Sequence, residues 1–196
     1  MAPSFVLLSP AITDSDHITQ NQCYGGHGER ERMLTKSLIA VFLFLAYVFL
    51  ANYVSYYLAK RRILNGQKWD LNICCGKTDG GGVNVDIVKH KELPRFKQVD
   101  NIYDLPFKDG EFNTVLCSHT IEHVDDPRQF YAELQRVGKK VTLVVPPLYD
   151  ISAVFNLLEH KWIFLTFKKK HHVLPRFIKL PFTAFLHRRF GQRNNA

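Results

Sequence analysis

Two short apolar runs, Leu71–Cys75 and Val83–Ile87, are joined by a glycine-rich turn from Gly76 to Gly82, and the second run carries the carboxylate Asp86. Apolar runs of this length, bounded by glycine, read as buried strands. Strand, glycine turn, strand and acid is the arrangement by which a doubly wound α/β sheet builds a nucleotide site. Glycine lets the backbone approach a ligand, and the acid can accept hydrogen bonds from both hydroxyls of a ribose. Only six residues, Lys77 to Gly82, lie between Gly76 and the second run. A parallel crossover normally takes a dozen or more. Six extended residues reach roughly 20 Å, so a bare loop can return the chain, but a helix does not fit.

The run Leu71-Asn72-Ile73-Cys74-Cys75-Gly76 resembles motif I of the class I S-adenosylmethionine-dependent methyltransferases, with Cys74 where that family usually has glycine. Leu105-Pro106-Phe107, then a turn, Phe112-Asn113 and an apolar strand, is similar to the type 11 branch of that family. So is Ser118-His119-Thr120-Ile121-Glu122-His123-Val124. Asn101 and Asn113 stand where the branch carries acids. The resemblance covers roughly Trp69 to Pro147. It implies an α/β, Rossmann-like methyltransferase sheet, S-adenosylmethionine as cofactor, and methyl transfer as the activity.

The resemblance also implies roles. Gly76 and its loop would cradle the methionine moiety, with Cys74 beside it. Asp86 would hold the ribose, and Asn101 with Ile102 the adenine. Cys117, Ser118 and His119 would line the methyl side. Asn72 and Ile87 complete the expected cofactor set. His119 or His123 is then a general base for a substrate hydroxyl, or else the Glu122-His123 pair only holds the loop after the strand.

Ahead of this domain, Ser37 to Ala59 is an uncharged 23-residue stretch. A helix of that length spans roughly 30 Å of hydrocarbon, so the segment reads as one transmembrane helix, with a buried core helix as the alternative. Tyr53, Tyr56 and Tyr57 gather at its end like interfacial anchors, and Lys60-Arg61-Arg62 follow. That flank, and a cytosolic cofactor, favour a single-pass membrane protein with its C-terminal domain in the cytoplasm. The expected order is a disordered segment over 1–36, the transmembrane helix over 37–59, the cofactor-binding domain over 63–150 and a basic aromatic tail over 151–196.

The net charge of +8 resides in that tail, which has nine Lys or Arg against one acid, Glu159. Aromatic residues interleave with the cations. The pattern suits a membrane interface, nucleic acid, or ordinary core packing; the spanning segment favours the membrane over nucleic acid. The expected acceptor is correspondingly lipid-linked, quinone-like or a glycan, although a small molecule remains open. Cys23, Cys74, Cys75 and Cys117 form no Cys-x-x-Cys and read as reduced thiols, with no metal site expected.

The rest of the chain reads as scaffold. Val88 to Gln98 suggests a loop or short irregular helix. Asp126-Pro127 starts a helix that Gly138 stops. Val141 to Val145 is a fifth strand. No antiparallel pair is visible after Pro147, where Asp150 to Phe167 looks helical, so the sheet is expected to be trimmed. The rival to an enzyme is an inactive, membrane-anchored binding module on the same fold.

Overall fold

Apolar strands need cover on both faces, and here the cover comes from two different sources. The computed structural model describes residues 15–191, with side chains from Gly28 onward. The chain divides into a unit ending at Ala46 and a unit from Tyr47 onward. The first is helical: α1 (Ser15–Asn52) takes in residues 15–36, expected to be disordered, while residues 1–14 lie outside the described part. From Gly28 to Leu64 the helix is long and apolar enough to cross a membrane.

In the second unit the end of α1 continues as a π-helical segment, Tyr53–Lys60, and then α2 (Arg61–Leu64). The main sheet follows: β1 (Leu71–Ile73), β2 (Val83–Asp86), β3 (Phe96–Gln98), β4 (Phe112–Ser118) and β5 (Gly138–Val144). These five are parallel, and the two-residue β7 (Lys170–His171) closes the edge antiparallel to β5, in the order β3-β2-β1-β4-β5-β7. This is the strand order of a doubly wound sheet. One face is covered by α3 (Pro127–Val137), whose Phe130, Leu134 and Val137 are fully buried against Ile73, Val115 and Leu143. On the other face Ile63 and Leu64 pack against Trp69, Leu116 and Val144. The Trp69 indole donates to the Leu64 carbonyl at 3.0 Å. The helix arriving from the N-terminus therefore supplies part of a layer that crossover helices usually provide.

A bare loop does carry the chain from β1 to the parallel β2. Two buried amides hold it in place of a helix. Asn84 Oδ1 accepts from Asn72 Nδ2 (3.1 Å) and from the Gly80 N–H (3.0 Å), while Asn72 Nδ2 also donates to the Thr78 carbonyl (2.8 Å). Gly82 is required by space: a Cβ there would lie 2.2 Å from the Trp69 carbonyl oxygen.

Helix α3 starts as expected, with Asp126 Oδ1 accepting from the N–H groups of Arg128 and Gln129 and with Pro127 in its first turn. The structure corrects the reading elsewhere. Residues 88–98 end in β3 rather than in a loop or helix. Of 150–167 only α4 (Ile151–Val154) is helical, and β6 (Trp162–Phe164) pairs with β8 (Phe177–Lys179) as a separate antiparallel sheet. The chain ends its described part with α5 (Thr183–Phe190). The tail's aromatics divide accordingly. Trp162, Phe164 and Phe177 join the core, whereas Phe167, Phe182, Phe185 and Phe190 are exposed.

The Leu105-Pro106-Phe107 segment is tied to α3 by hydrogen bonds to Glu133 and Arg136. Arg136 donates to Glu133 from Nε (2.8 Å) and Nη2 (2.6 Å), and to the carbonyls of Phe107 and Leu105. Glu133 Oε1 accepts the Leu105 N–H at 2.6 Å. Burial opposes the charge on Glu133, but the bonds from Arg136 and Leu105 outweigh it and hold the carboxyl below its usual range. Glu133→Gln is expected to cost about 2–3 kcal/mol in thermal unfolding at pH 7. Because the folded carboxyl titrates below the unfolded one, its contribution is complete above the unfolded value and fades as the pH falls through the folded one. The difference from wild type should therefore shrink in acid. A difference that is constant down to pH 3 would assign the loss to shape alone.

Candidate active site

In a parallel sheet the ligand edge lies beyond the carboxyl ends of the strands. Register places three such ends side by side: Ile73 pairs with both Val85 and Cys117, one residue before Asp86 and Ser118. A cavity of about 910 Å³ opens there, within the ordinary size for a small-molecule site. Cys74, Gly76, Asp86, Ile87, Ser118 and His119 border it. So do Asn72, Ile102 and His123.

Asp86 is almost fully buried, and its carboxylate is aimed by two backbone donors. Oδ2 accepts from the Gly76 N–H and Oδ1 from the Ile87 N–H, each at 2.8 Å. Each oxygen keeps a further lone pair for a ligand hydroxyl. Gly76 has φ +53° and Cys74 φ +50°. The left-handed conformation at Cys74 is one that glycine adopts without cost and a thiol-bearing residue does not. Burial pushes the Cys74 and Cys117 thiols up, and the Cys75 thiol to about 12, so all three are neutral at pH 7.

Beyond β4 the chain turns sharply at His119, φ +55°. A left-handed non-glycine residue at a cleft is a common mark of a functional turn. The turn buries Ser118 Oγ and His119 Nε2, neither of which has a hydrogen-bond partner among the described residues. Such atoms are rarely left unpaired in folded proteins, and both belong to residues bordering the cavity, so they suit a polar ligand. Burial lowers the His119 pKa to about 4, making its imidazole neutral at pH 7. Its Nδ1 lies 3.1 Å from Glu122 Oε1.

Not every expected residue reaches the cavity. Cys117 is buried inside the sheet. Asn101 is exposed, and its Oδ1 accepts from the Tyr103 N–H at 2.9 Å. Asn72 borders the cavity, but its amide is engaged in holding the β1–β2 loop. Asn113 pairs with Lys139 at the surface. Conversely, sequence reasoning missed one wall. Asn52, Tyr56, Tyr57 and Lys60, at the end of the apolar helix, border the same cavity. The Tyr56 ring stands 6.0 Å from that of His119. Polar Asn52 and Ser55 within an apolar helix were the signal that this end meets protein. Glu159 and His160, from the segment expected to be helical, border the cavity as well.

Residues 82–145 match the methyltransferase domain family of type 11. Among solved structures, the YcgJ protein from Bacillus subtilis is similar at 22% identity over 45% of this chain and 51% of its own, with a TM-score of 0.37. An S-adenosylmethionine-dependent methyltransferase from Aquifex aeolicus is similar at 12% identity over 47% and 66%, TM-score 0.36. A third is the 1,6-didemethyltoxoflavin-N1-methyltransferase of Burkholderia thailandensis, seen with S-adenosylhomocysteine bound: 14% identity over 93% and 81%, TM-score 0.35. The chain spans about half to two thirds of the length of the first two. The match over 82–145 falls on a sheet with the doubly wound order and an acid at the end of β2, so this part of the chain is similar to a methyltransferase domain.

Proposed function

We propose that this chain transfers a methyl group to a lipid-linked, quinone-like or glycan acceptor at a membrane surface, with its helix as a single-pass anchor and its C-terminal domain in the cytoplasm. One observation carries the reading: the end of the apolar helix borders the same cavity as Asp86 and His119. S-adenosylmethionine supplies an electrophilic methyl group and leaves as S-adenosylhomocysteine. Asp86 would hold the ribose, and the turn from Cys74 to Gly76 would hold the methionine end. His119, neutral and with Nδ1 turned to Glu122, presents Nε2 to an acceptor hydroxyl and so positions it. Alignment of nucleophile and methyl group is most of what a direct displacement requires.

Met33 to Leu50 makes a helical rod of about 27 Å, close to the ~30 Å hydrocarbon core of a bilayer. Exposed Phe182, Phe185 and Phe190 accompany Arg188 and Arg189 on α5. That composition suits an interfacial helix, with each cation near anionic headgroups contributing on the order of 1 kcal/mol.

The test is methyl transfer from isotope-labelled S-adenosylmethionine by the full chain in nanodiscs containing a lipid extract. Label is expected in the organic phase, and Phe182→Ser with Phe185→Ser should lower it several-fold. Label confined to water-soluble products would remove the membrane acceptor. The left-handed backbone at Cys74, φ +50°, favours a second reading, a binding module without turnover. Cofactor binding with no transfer to any extract would select it.

A further inference from the structure

We propose that Glu122, His123 and His160 form a binding site for a divalent transition metal of the zinc class at the floor of the cofactor cavity. One ligand atom from each lies within 4.8 Å of the others. Metal–ligand bonds of ~2.1 Å set ligand atoms roughly 3–4 Å apart, so the three atoms need draw together only slightly to hold one ion.

The second, independent observation is Glu122 itself. Its side chain is completely buried; Oε1 has His119 Nδ1 beside it at 3.1 Å, and Oε2 has no hydrogen-bond partner among the described residues. A carboxylate taken out of water with so few partners is very costly. A bound cation would satisfy the unpartnered oxygen.

The surroundings are arranged as a ligand shell requires. His123 Nδ1 is 2.7 Å from the Glu159 carbonyl oxygen. Donation to that carbonyl fixes the tautomer with the lone pair on Nε2, the usual way a protein orients a ligating imidazole. The Glu122 backbone is pinned by its own carbonyl, which accepts from the N–H groups of Lys161 (2.8 Å) and Trp162 (3.2 Å). The same two bonds place the preceding residue, His160, whose ring stands 4.8 Å from that of His123. Two imidazoles and one carboxylate select zinc, cobalt, manganese or iron(II) over calcium and magnesium. His123 and His160 border the cavity, so the remaining coordination positions face it. Resting on the methyl-transfer reading, those positions would take the oxygen of an acceptor hydroxyl, whose proton a bound metal makes easier to lose.

The test uses the full chain in detergent micelles, titrated with Co²⁺ while visible absorption is followed, then with Zn²⁺ in competition. One equivalent of Co²⁺ should give ligand-field bands that Zn²⁺ abolishes. His160→Gln and His123→Asn should each weaken binding by at least tenfold, and Glu92→Gln, an exposed carboxylate outside the cluster, should not. Thermal unfolding shows which variants fold, and two histidine variants guard against the loss of one. S-adenosylmethionine affinity is measured in parallel by calorimetry. Bands that survive both histidine substitutions, or no bands from a chain that still binds the cofactor, overturn the metal site and leave methyl transfer standing. Bands with the expected variant pattern but no cofactor binding uphold the metal site and remove the methyl-transfer reading.

Discussion

Asp86→Ala is expected to weaken S-adenosylmethionine binding by at least about 100-fold, the largest effect of any single substitution in the cavity. Two ribose hydroxyls donating to a carboxylate contribute roughly 1.5–3 kcal/mol each, and every 1.4 kcal/mol is about a factor of ten in affinity. Alanine also releases the Gly76 and Ile87 N–H groups that Asp86 accepts, so the turn from Cys74 to Gly76 loses its anchor. Asp86→Asn separates the two effects. An amide oxygen can still accept one backbone N–H, but the charge is gone, so its affinity should fall between alanine and wild type while its melting temperature stays closer to wild type. Calorimetric titration of the full chain in one detergent, beside thermal unfolding, reads both. A folded Asp86→Ala protein binding within threefold of wild type would remove Asp86 from the ribose.

Where the chain declares its structure locally, the sequence could be read. β1, β2 and the C-terminal parts of β4 and β5 are mostly apolar and almost wholly buried, because both faces of the sheet are covered there, and α3 carries its cap, its proline and its buried stripe in the expected order. The short strands carry no such mark. In β3, Phe96 is half-buried and Lys97 and Gln98 are exposed, and β7 has only two residues, too few for any periodicity. Apolar spacing over 151–158 suggested a long helix, but it is spent in one turn before the chain enters β6. That is why Glu159 and His160 were not seen as neighbours of Glu122: their approach is made by pairing across 36 or more residues. The site divides the same way. Asp86, Ser118 and His119 follow strands whose ends converge by topology, whereas Tyr56 and Lys60 arrive from outside the sheet. Cys74, like His119, is a place where local preference and fold disagree, since a residue that does not favour the left-handed conformation adopts it.

Raising the pH from 7.5 to 10.5 is expected to stabilise this protein by about 3 kcal/mol relative to Lys169→Met. Lys169 is buried, with Nζ donating to Ser55 Oγ at 2.8 Å, so it joins the tail to the end of the apolar helix. Burial lowers its pKa to about 8; Glu122 and Asp150 oppose the shift and Lys60 adds to it. Unfolded, the same amine titrates near 10.4. Below pH 8 both states are protonated, and the folded one bears the full cost of a buried charge. Between 8 and 10.4 the unfolded chain binds the extra proton, so stability rises with pH until the cost is gone. Methionine fills much the same space without a charge, and its stability curve should lack that rise. The comparison needs only thermal unfolding of the two proteins in the same micelles across pH 7–10.5. Parallel curves would mean that Lys169 reaches water, and that the helix end is not seated on the domain through Ser55. A difference that grows as predicted would place the helix end on the domain, next to the cavity whose wall it forms.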